Sequence, residues 1–520
     1  MVNKIVIAGG GSSGWMTASY LSKNLNGVKI TLIESSDIAT IGVGESTIPP
    51  IVDFMQGLGL KEEDWMPKCN ATIKSAICFK DFYKKGDPRF WFPFTGIEVF
   101  EGRPINRYWL QEHFNNPDFY KRHLFYDYCY ITPAICKQGS TVKALPQTLG
   151  YAYHVDSGLL GGVLKDYSKE HGVEHIVDKI IKTNLNENGW IKSLSRENGD
   201  DIEGDLFIDC TGFGSYLMDK VMKEPFEEYY DCLFNDRAVA MRIKYEDKGK
   251  EMSSYTECTA ISSGWVWRVP LYNRLGTGYV YSSNYKTEDE AELELRQHLG
   301  EYRTKDSNAL HLKIRVGKHK RSWVKNCISI GLSGGFVEPL ESTGLQIVQG
   351  QVDLLMQILR RENDYNVGDI KAYNDSVTRL YEIIRDFLVC HYALTNREDT
   401  PYWRDVKYNT RIPDTLSKKL QIARTFMPDQ EVLKTFDDSS LAGFNFNDGW
   451  MSVLVGMNYL PFDHAELRKQ KIGAYDEVVI NNLSKAKQRY QQIKTMQQTH
   501  IAKMPSHYQW LKENIYKDKS

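Results

Sequence analysis

The sequence lacks a cysteine pattern, a charge excess and a long apolar run. Nine cysteines are scattered through 520 residues, but none stand as CxxC and none show zinc-type spacing. Reduced thiols in a cytoplasmic protein are therefore expected, and no metal. A formal net charge of −2 and a pI near 6.7 leave neither a basic stripe for nucleic acid nor an acidic tail. No apolar stretch reaches the roughly 18 residues that a membrane-spanning helix needs. A leader is not expected either, because "KIVIAGGG" (4–11) already reads as a buried strand running into a glycine turn. Internal repeats and low-complexity linkers are missing too, which argues for interleaved modules. What remains is a small-molecule protein with no nucleic-acid or membrane partner.

The periodicity that is present is mostly α/β. Strand 4–8, a helix from about 14 to 24 and strand 28–33 form a βαβ unit and predict a parallel sheet. From about 70 to 135 the pattern changes to strand-like pieces and loops crowded with aromatics, as in "RFWFPF" (89–94) and "FYDYCY" (125–130). This block reads equally well as a substrate cover or as core. The α/β pattern resumes near 150; His154 and Asp156 in "YHVD", ahead of a helix from Ser157, read as structural. "GDLFIDCTGFGS" (204–215) is a strand and turn, roughly 237–320 forms a further sheet, and "CISIGLSGGFVEPLESTGL" (327–345) runs strand, glycine turn, helix. Beyond about 346 helices dominate, ending in a Lys- and Gln-rich tail expected to be a solvated helix.

Gly9-Gly10-Gly11-Ser12-Ser13-Gly14 is a GxGxxG between strand and helix, and Glu34 follows twenty positions past Gly14 at the end of the second strand. Gly9 permits the tight turn, Gly11 lets backbone N–H groups approach a pyrophosphate at the helix N-terminus, and Glu34 can accept from a ribose hydroxyl. Gly212 and Gly331 mark two more strand ends where an extended cofactor could cross. FAD is long enough to use all three, and no second fingerprint for a nicotinamide occurs.

Three further stretches have plain readings first. In "SGWVWRVP" (263–270), Trp265 and Trp267 share one strand face and could simply fill a core. In "TIKSAICF" (72–79), a strand would point Lys74 the same way as Thr72, Ala76 and Cys78; an exposed lysine is the common alternative. Glu341 stands where a helix begins, a first-turn carboxylate, with Ser342 or Thr343 able to cap.

Taken together, these residues resemble the flavin-dependent tryptophan halogenase family. The similarity runs through the GxGxxG followed by Trp15, "IGVGESTIPPI" (41–51), "TIKSAICF", "GWVWRVPL" (264–271), "GYVYSS" (278–283), "IDCTGF", "GFVEPLESTGL" and "HYALTNREDTPYW" (391–403). The family's GWxWxIP is the specific element, with Val269 here in place of its isoleucine.

The resemblance implies an α/β fold: an FAD-binding Rossmann-like module of the glutathione-reductase and monooxygenase type over 1–360, with an inserted substrate-side sheet at about 65–145 and 235–320. A mainly helical module would cover 361–520. It implies FAD used as FADH2, O2 and a halide, whether chloride, bromide or iodide. A flavin C4a-hydroperoxide would oxidise the halide to hypohalous acid, and Lys74 would present the halogen to an electron-rich aromatic, as an ammonium or as a haloamine. Glu341 would polarise the halogenating species and take the ring proton, and Ser342 would contact it. Gly9, Gly11, Ser12, Ser13, Gly14, Glu34, Val43, Gly44, Gly212, Gly331 and Thr343 would bind flavin, and the N–H groups of Thr343 and Gly344 the halide. Trp265, Trp267 and Pro270 would keep flavin and substrate apart. A separate NAD(P)H flavin reductase would supply FADH2, and a homo-oligomer is expected. Two other readings stand beside this one: an aromatic hydroxylase, and a protein of the same fold without flavin turnover that binds a ligand or uses a metal.

Overall fold

The computed structural model describes all residues except 38–43, 148, 362, 426–446, 461–476 and 518–520. The β-branched strand Lys4–Ala8 is buried on both faces past its first residue, as a parallel strand sandwiched between helices requires. It lies in a six-stranded sheet ordered Glu174–Val177, Lys29–Glu34, Lys4–Ala8, Leu206–Asp209, Cys327–Ser329, Trp323–Val324. The first five strands are parallel and the last pair is antiparallel. Parallel neighbours need crossovers, and Ser12–Asn24 is the first of them. Helices Ser157–Glu170 and Gly344–Leu359 pack against it. The fold is thus an α/β, Rossmann-like dinucleotide-binding architecture, with the strand ends of 8, 209 and 329 opening on one side.

A second sheet has seven strands in the order Leu310–Lys313, Arg237–Ile243, Leu275–Tyr281, Gly264–Pro270, Tyr255–Ile261, Ala76–Lys80, Phe90–Pro93. Its pairs are antiparallel except Tyr255–Ile261 with Ala76–Lys80, which joins distant parts of the chain. A third, three-stranded sheet places Ala152–Val155 between Glu45–Ser46 and Thr72–Lys74.

Three local expectations change. The run 72–79 is not one strand: it leaves the small sheet after Lys74 and enters the large one at Ala76. Ser75 makes the corner, its N–H donating to Ser254 O and its carbonyl accepting from Phe94 N. "FYDYCY" is helical at Phe125–Cys129, and further helices Ile105–Asn115 and Thr132–Lys137 occupy the block read as strands and loops. Aromatic density follows burial, which a helix here provides as well as a strand would. Finally, the tail helix Glu477–Thr499 is not simply solvated. It packs on Ile105–Asn115, burying Val479, Ala486, Tyr490 and Ile493, with Tyr490 stacked on Tyr128 at 4.2 Å. Among the described residues no helix is long and apolar enough to cross a membrane.

Candidate active site

The turn after Lys4–Ala8 is built by missing side chains. Gly9 has φ +110°, and a Cβ there would stand 2.3 Å from Cys210 O; a Cβ on Gly14 would stand 1.9 Å from Gly9 O. Gly11 is different: no atom of the described residues lies within 4 Å of where its Cβ would be. It precedes the helix at Ser12 and carries no side-chain cap, so the first N–H groups are left for a ligand. They face a cavity of about 760 Å³.

Gly9, Gly11, Ser12, Ser13, Glu34 and Gly44 line this cavity, as do Gly212 and Gly331 from the two other strand ends. Gly14 serves the packing behind it, and Val43 lies outside the described residues. Glu34 is oriented by His175, whose Nε2 is 2.8 Å from its Oε1. The turn at Gly212 is shaped by buried Asp209, which accepts from Thr211 on one oxygen and from the N–H groups of Leu217 and Met218 on the other. Open backbone at a helix N-terminus, a carboxylate at the next strand end and glycines at two more termini fit an extended dinucleotide such as FAD.

At the far end the cavity meets the tryptophan strand. Trp265 and Trp267 are both buried, their ring centroids 6.2 Å apart and tilted by 58°. Trp265 Nε1 donates to Glu338 Oε2 at 3.0 Å, and the same oxygen accepts from Asn235 Nδ2 and Tyr392 OH. Burial raises the Glu338 pKa, while these three donors favour its carboxylate. Trp267 lies across Gly278 on the next strand, where a Cβ would be 2.1 Å from its Cη2. Gly278→Ala is accordingly expected to push the ring toward the cavity, costing about 1–3 kcal/mol of stability and weakening FAD binding. Thermal unfolding and a flavin titration check both.

Pro270 ends this strand, and its carbonyl accepts from Thr72 Oγ1 at 2.6 Å, tying the aromatic wall to the strand of Lys74. That donation leaves Thr72 Oγ1 to accept from His154 Nδ1, and His154 Nε2 to accept from Thr256. Burial holds His154 neutral, a structural link between sheets. Asp156 caps the helix at Leu159 N and pairs with Arg274.

Lys74 is fully buried. Its Nζ donates to Thr47 O and Ser342 Oγ, both at 2.8 Å, and stands 4.9 Å from the Phe94 ring centroid. Burial lowers its pKa to about 7. Both partners lead to the cofactor cavity: Ser342 lines it, and Thr47 directly follows lining residues Gly44, Glu45 and Ser46.

The expected cap by Ser342 or Thr343 does not form. The helix starts at Gly344 with no side-chain cap, and among the described residues Thr343 Oγ1 has no hydrogen-bond partner. Ser342 has φ +62°, which turns its hydroxyl to Lys74 instead. Gly344 lines the cavity with open space at its Cβ, and Thr343 is buried beside it. Glu341, in the turn Pro339–Glu341, is fully buried with its pKa raised by desolvation. Its Oε1 lies 2.8 Å from His391 Nε2, but the approach misses hydrogen-bond geometry, and among the described residues neither carboxylate oxygen has a hydrogen-bond partner.

Glu338 and His391 sit inside motifs noted from the sequence, "EPLESTG" and "HYALTN", yet neither was singled out. The available signal was a second glutamate beside a proline, and a histidine heading a conspicuously aromatic and polar run.

A dinucleotide-type cleft that meets two buried tryptophans, with a buried amine and carboxyl nearby, fits an oxidoreductase that uses an extended dinucleotide such as FAD. Residues 4–471 match the family model described as tryptophan halogenase, and the chain belongs to that family of flavin-dependent halogenases. It is 38% identical over 457 residues to tryptophan 6-halogenase SttH of Streptomyces toxytricini, covering 82% of this chain and 85% of that one. With tryptophan 7-halogenase RebH of Lentzea aerocolonigenes it shares 35% over 491 residues, covering 88% and 90%. The SttH crystal structure superposes with a TM-score of 0.87 at 34% identity, covering 98% of this chain and 99% of that one. Xcc4156, a flavin-dependent halogenase from Xanthomonas campestris, gives 0.84 at 31%, covering 99% and 98%.

Proposed function

We propose that this halogenase acts on an electron-rich aromatic small molecule, an indole such as tryptophan being favoured by the relatives' names. Reduced FAD, delivered by a separate NAD(P)H-dependent reductase, would supply hypohalous acid from oxygen and halide when bound in the cleft. The observation that carries the reading is the position of Lys74: buried, absent from the cavity lining, and bonded to Ser342, which lines it, and to Thr47, which directly follows lining residue Ser46.

The chain's own residues divide the work. Gly11, Ser12 and Ser13 would hold the pyrophosphate, Glu34 a ribose, and the N–H groups of Thr343 and Gly344 the halide. Trp265 and Trp267 exclude the organic substrate from the oxidant's source. Ser342 and Lys74 receive hypohalous acid and present the halogen, and Glu341 takes the proton that the ring loses. A neutral Lys74 amine satisfies Thr47 O and Ser342 Oγ with its two N–H groups and keeps a lone pair for the halogen.

With a pKa near 7, the neutral fraction grows as pH rises through that value. The halogenation rate is expected to climb by about tenfold per pH unit below it and to level off above. A rate that falls through the same range would assign the ammonium instead.

Product mass spectrometry tests the function itself. Purified protein, FAD, a flavin reductase and NADH are incubated with tryptophan, indoles and phenols, in chloride, bromide and iodide. A halogen mass shift supports the proposal; a hydroxylated product would make the protein a monooxygenase.

A further inference from the structure

The strand of Lys74 lies at the edge of its sheet, paired with Ala152–Val155 on one side only. Its other side presents backbone groups of Ala71, Ile73 and Ser75, alternate residues whose hydrogen-bonding groups face the same way along a strand. Among the described residues no further strand pairs with them. Buried backbone groups need partners, and here each finds one elsewhere in the chain. Ser75 N–H donates to Ser254 O at 2.7 Å. The other two are met by the last described turns of the chain: Ile73 N–H donates to His507 Nε2 at 3.2 Å, and Tyr516 OH donates to Ala71 O at 2.8 Å.

His507 opens the short helix His507–Leu511 and has no solvent exposure. A backbone N–H can only donate, so Nε2 carries the lone pair; Nδ1 therefore bears the ring's proton and donates to Met252 O at 3.2 Å. Burial favours this neutral form, lowering the pKa to about 4. One ring thus ties Ile73, the neighbour of Lys74, to the segment ahead of the strand Tyr255–Ile261. The segment that brings the ring is itself held. His507 N–H donates to Gly139 O at 2.8 Å, Ser140 Oγ donates to Pro505 O at 2.7 Å, and the rings of Tyr516 and Tyr272 stack with centroids 3.4 Å apart. Neither His507 nor Tyr516 lines the cofactor cavity.

We propose that the C-terminal segment 505–516 clamps the strand of Lys74, with His507 as a positioning residue for halogen transfer. A shift of Ile73 passes directly to Lys74, whose Nζ must meet Thr47 O and Ser342 Oγ together, both at 2.8 Å. Misplacing a reacting group by about 1 Å costs about 10²-fold in rate. His507 touches no reactant and acts through the backbone alone. The titratable groups facing Lys74 are Cys258, Glu341 and His154, and His154 also faces His507; all three belong to elements outside the C-terminal segment. The proposal rests on the reading that Lys74 presents the halogen.

The test compares the wild type with three variants of the full chain. His507→Gln keeps an acceptor for Ile73 N–H and a donor for Met252 O, His507→Phe keeps neither, and Tyr516→Phe loses one hydroxyl. His507→Phe is expected to lose about 10²-fold in kcat, with KM for tryptophan and FAD affinity near the wild-type values. Its pH–rate midpoint should rise above that of the wild type, because a looser strand lets water reach Lys74. His507→Gln should recover most of the rate and the wild-type midpoint, and Tyr516→Phe should fall between. Hydrogen exchange of the flavin-free proteins, read by mass spectrometry over residues 71–79, follows the clamp without turnover. It should quicken in both phenylalanine variants and stay slow in His507→Gln. A folded His507→Phe with wild-type kcat and pH midpoint would overturn the proposal, as would unchanged exchange in both phenylalanine variants or a loss that His507→Gln does not relieve. If His507→Phe does not fold, Tyr516→Phe decides by the same readouts. Wild-type protein that halogenates no aromatic offered, with chloride or bromide, would overturn the halogenation reading and the clamp's part in it together, while the exchange rates would still show whether His507 holds the strand.

Discussion

Lys74→Ala is expected to lower halogenation by about 10³-fold or more while leaving FAD affinity near the wild-type value. The two effects separate because Lys74 does not line the cofactor cavity and is linked to it through Ser342, which lines it, and Thr47, which directly follows lining residue Ser46. The substitution removes a buried amine and leaves the Ser342 hydroxyl and the Thr47 carbonyl without that donor, a cost of about 1–3 kcal/mol, so the variant should fold with a lower melting point. Product yield against flavin titration, measured on the same preparation, decides the matter. A parallel loss of flavin binding would mean that the lysine supports the cleft and not the chemistry.

Gly14→Ala is the second large effect, and its sign is set by competition. Alanine is the better helix former by about 1 kcal/mol, and on propensity alone the helix Ser12–Asn24 would gain. The added Cβ, however, would fall 1.9 Å from Gly9 O, a backbone atom, with no flexible side chain to yield. Overpacking of this kind costs about 1–3 kcal/mol and displaces the helix whose first N–H groups face the cavity, so FAD binding should be lost. Gly162→Ala is the control. Gly162 is exposed in the helix Ser157–Glu170 with nothing within 4 Å of its Cβ position, and alanine there should stabilise. Calorimetry and flavin fluorescence on the two variants separate helix propensity from contact.

Much of the cofactor side could be read in advance because its causes are local. Gly9 needs φ +110°, Gly11 stands at a helix start, and Glu34 ends the next strand. Each is a demand of one short segment on its own residues. The halogenating side was legible only through resemblance. Reading "TIKSAICF" as one strand put Lys74 among Ala76 and Cys78, whereas Ser75 turns the chain from one sheet into another. The cap assigned to Ser342 or Thr343 failed for a related reason, since a lysine from another sheet claims the Ser342 hydroxyl.

By itself the sequence determined the parallel α/β sheet, the dinucleotide turn and the presence of two tryptophans on one strand face. These follow from period, glycine placement and alternation, which act over a few residues. Only the tertiary structure decided that Glu338 grips Trp265, that Gly278 makes room for Trp267, and that His391 lies beside Glu341. The tertiary structure also brought the Lys74 pKa to about 7. Desolvation and ion pairing depend on what surrounds a group in space, and here the surroundings come from strands and helices far apart along the chain.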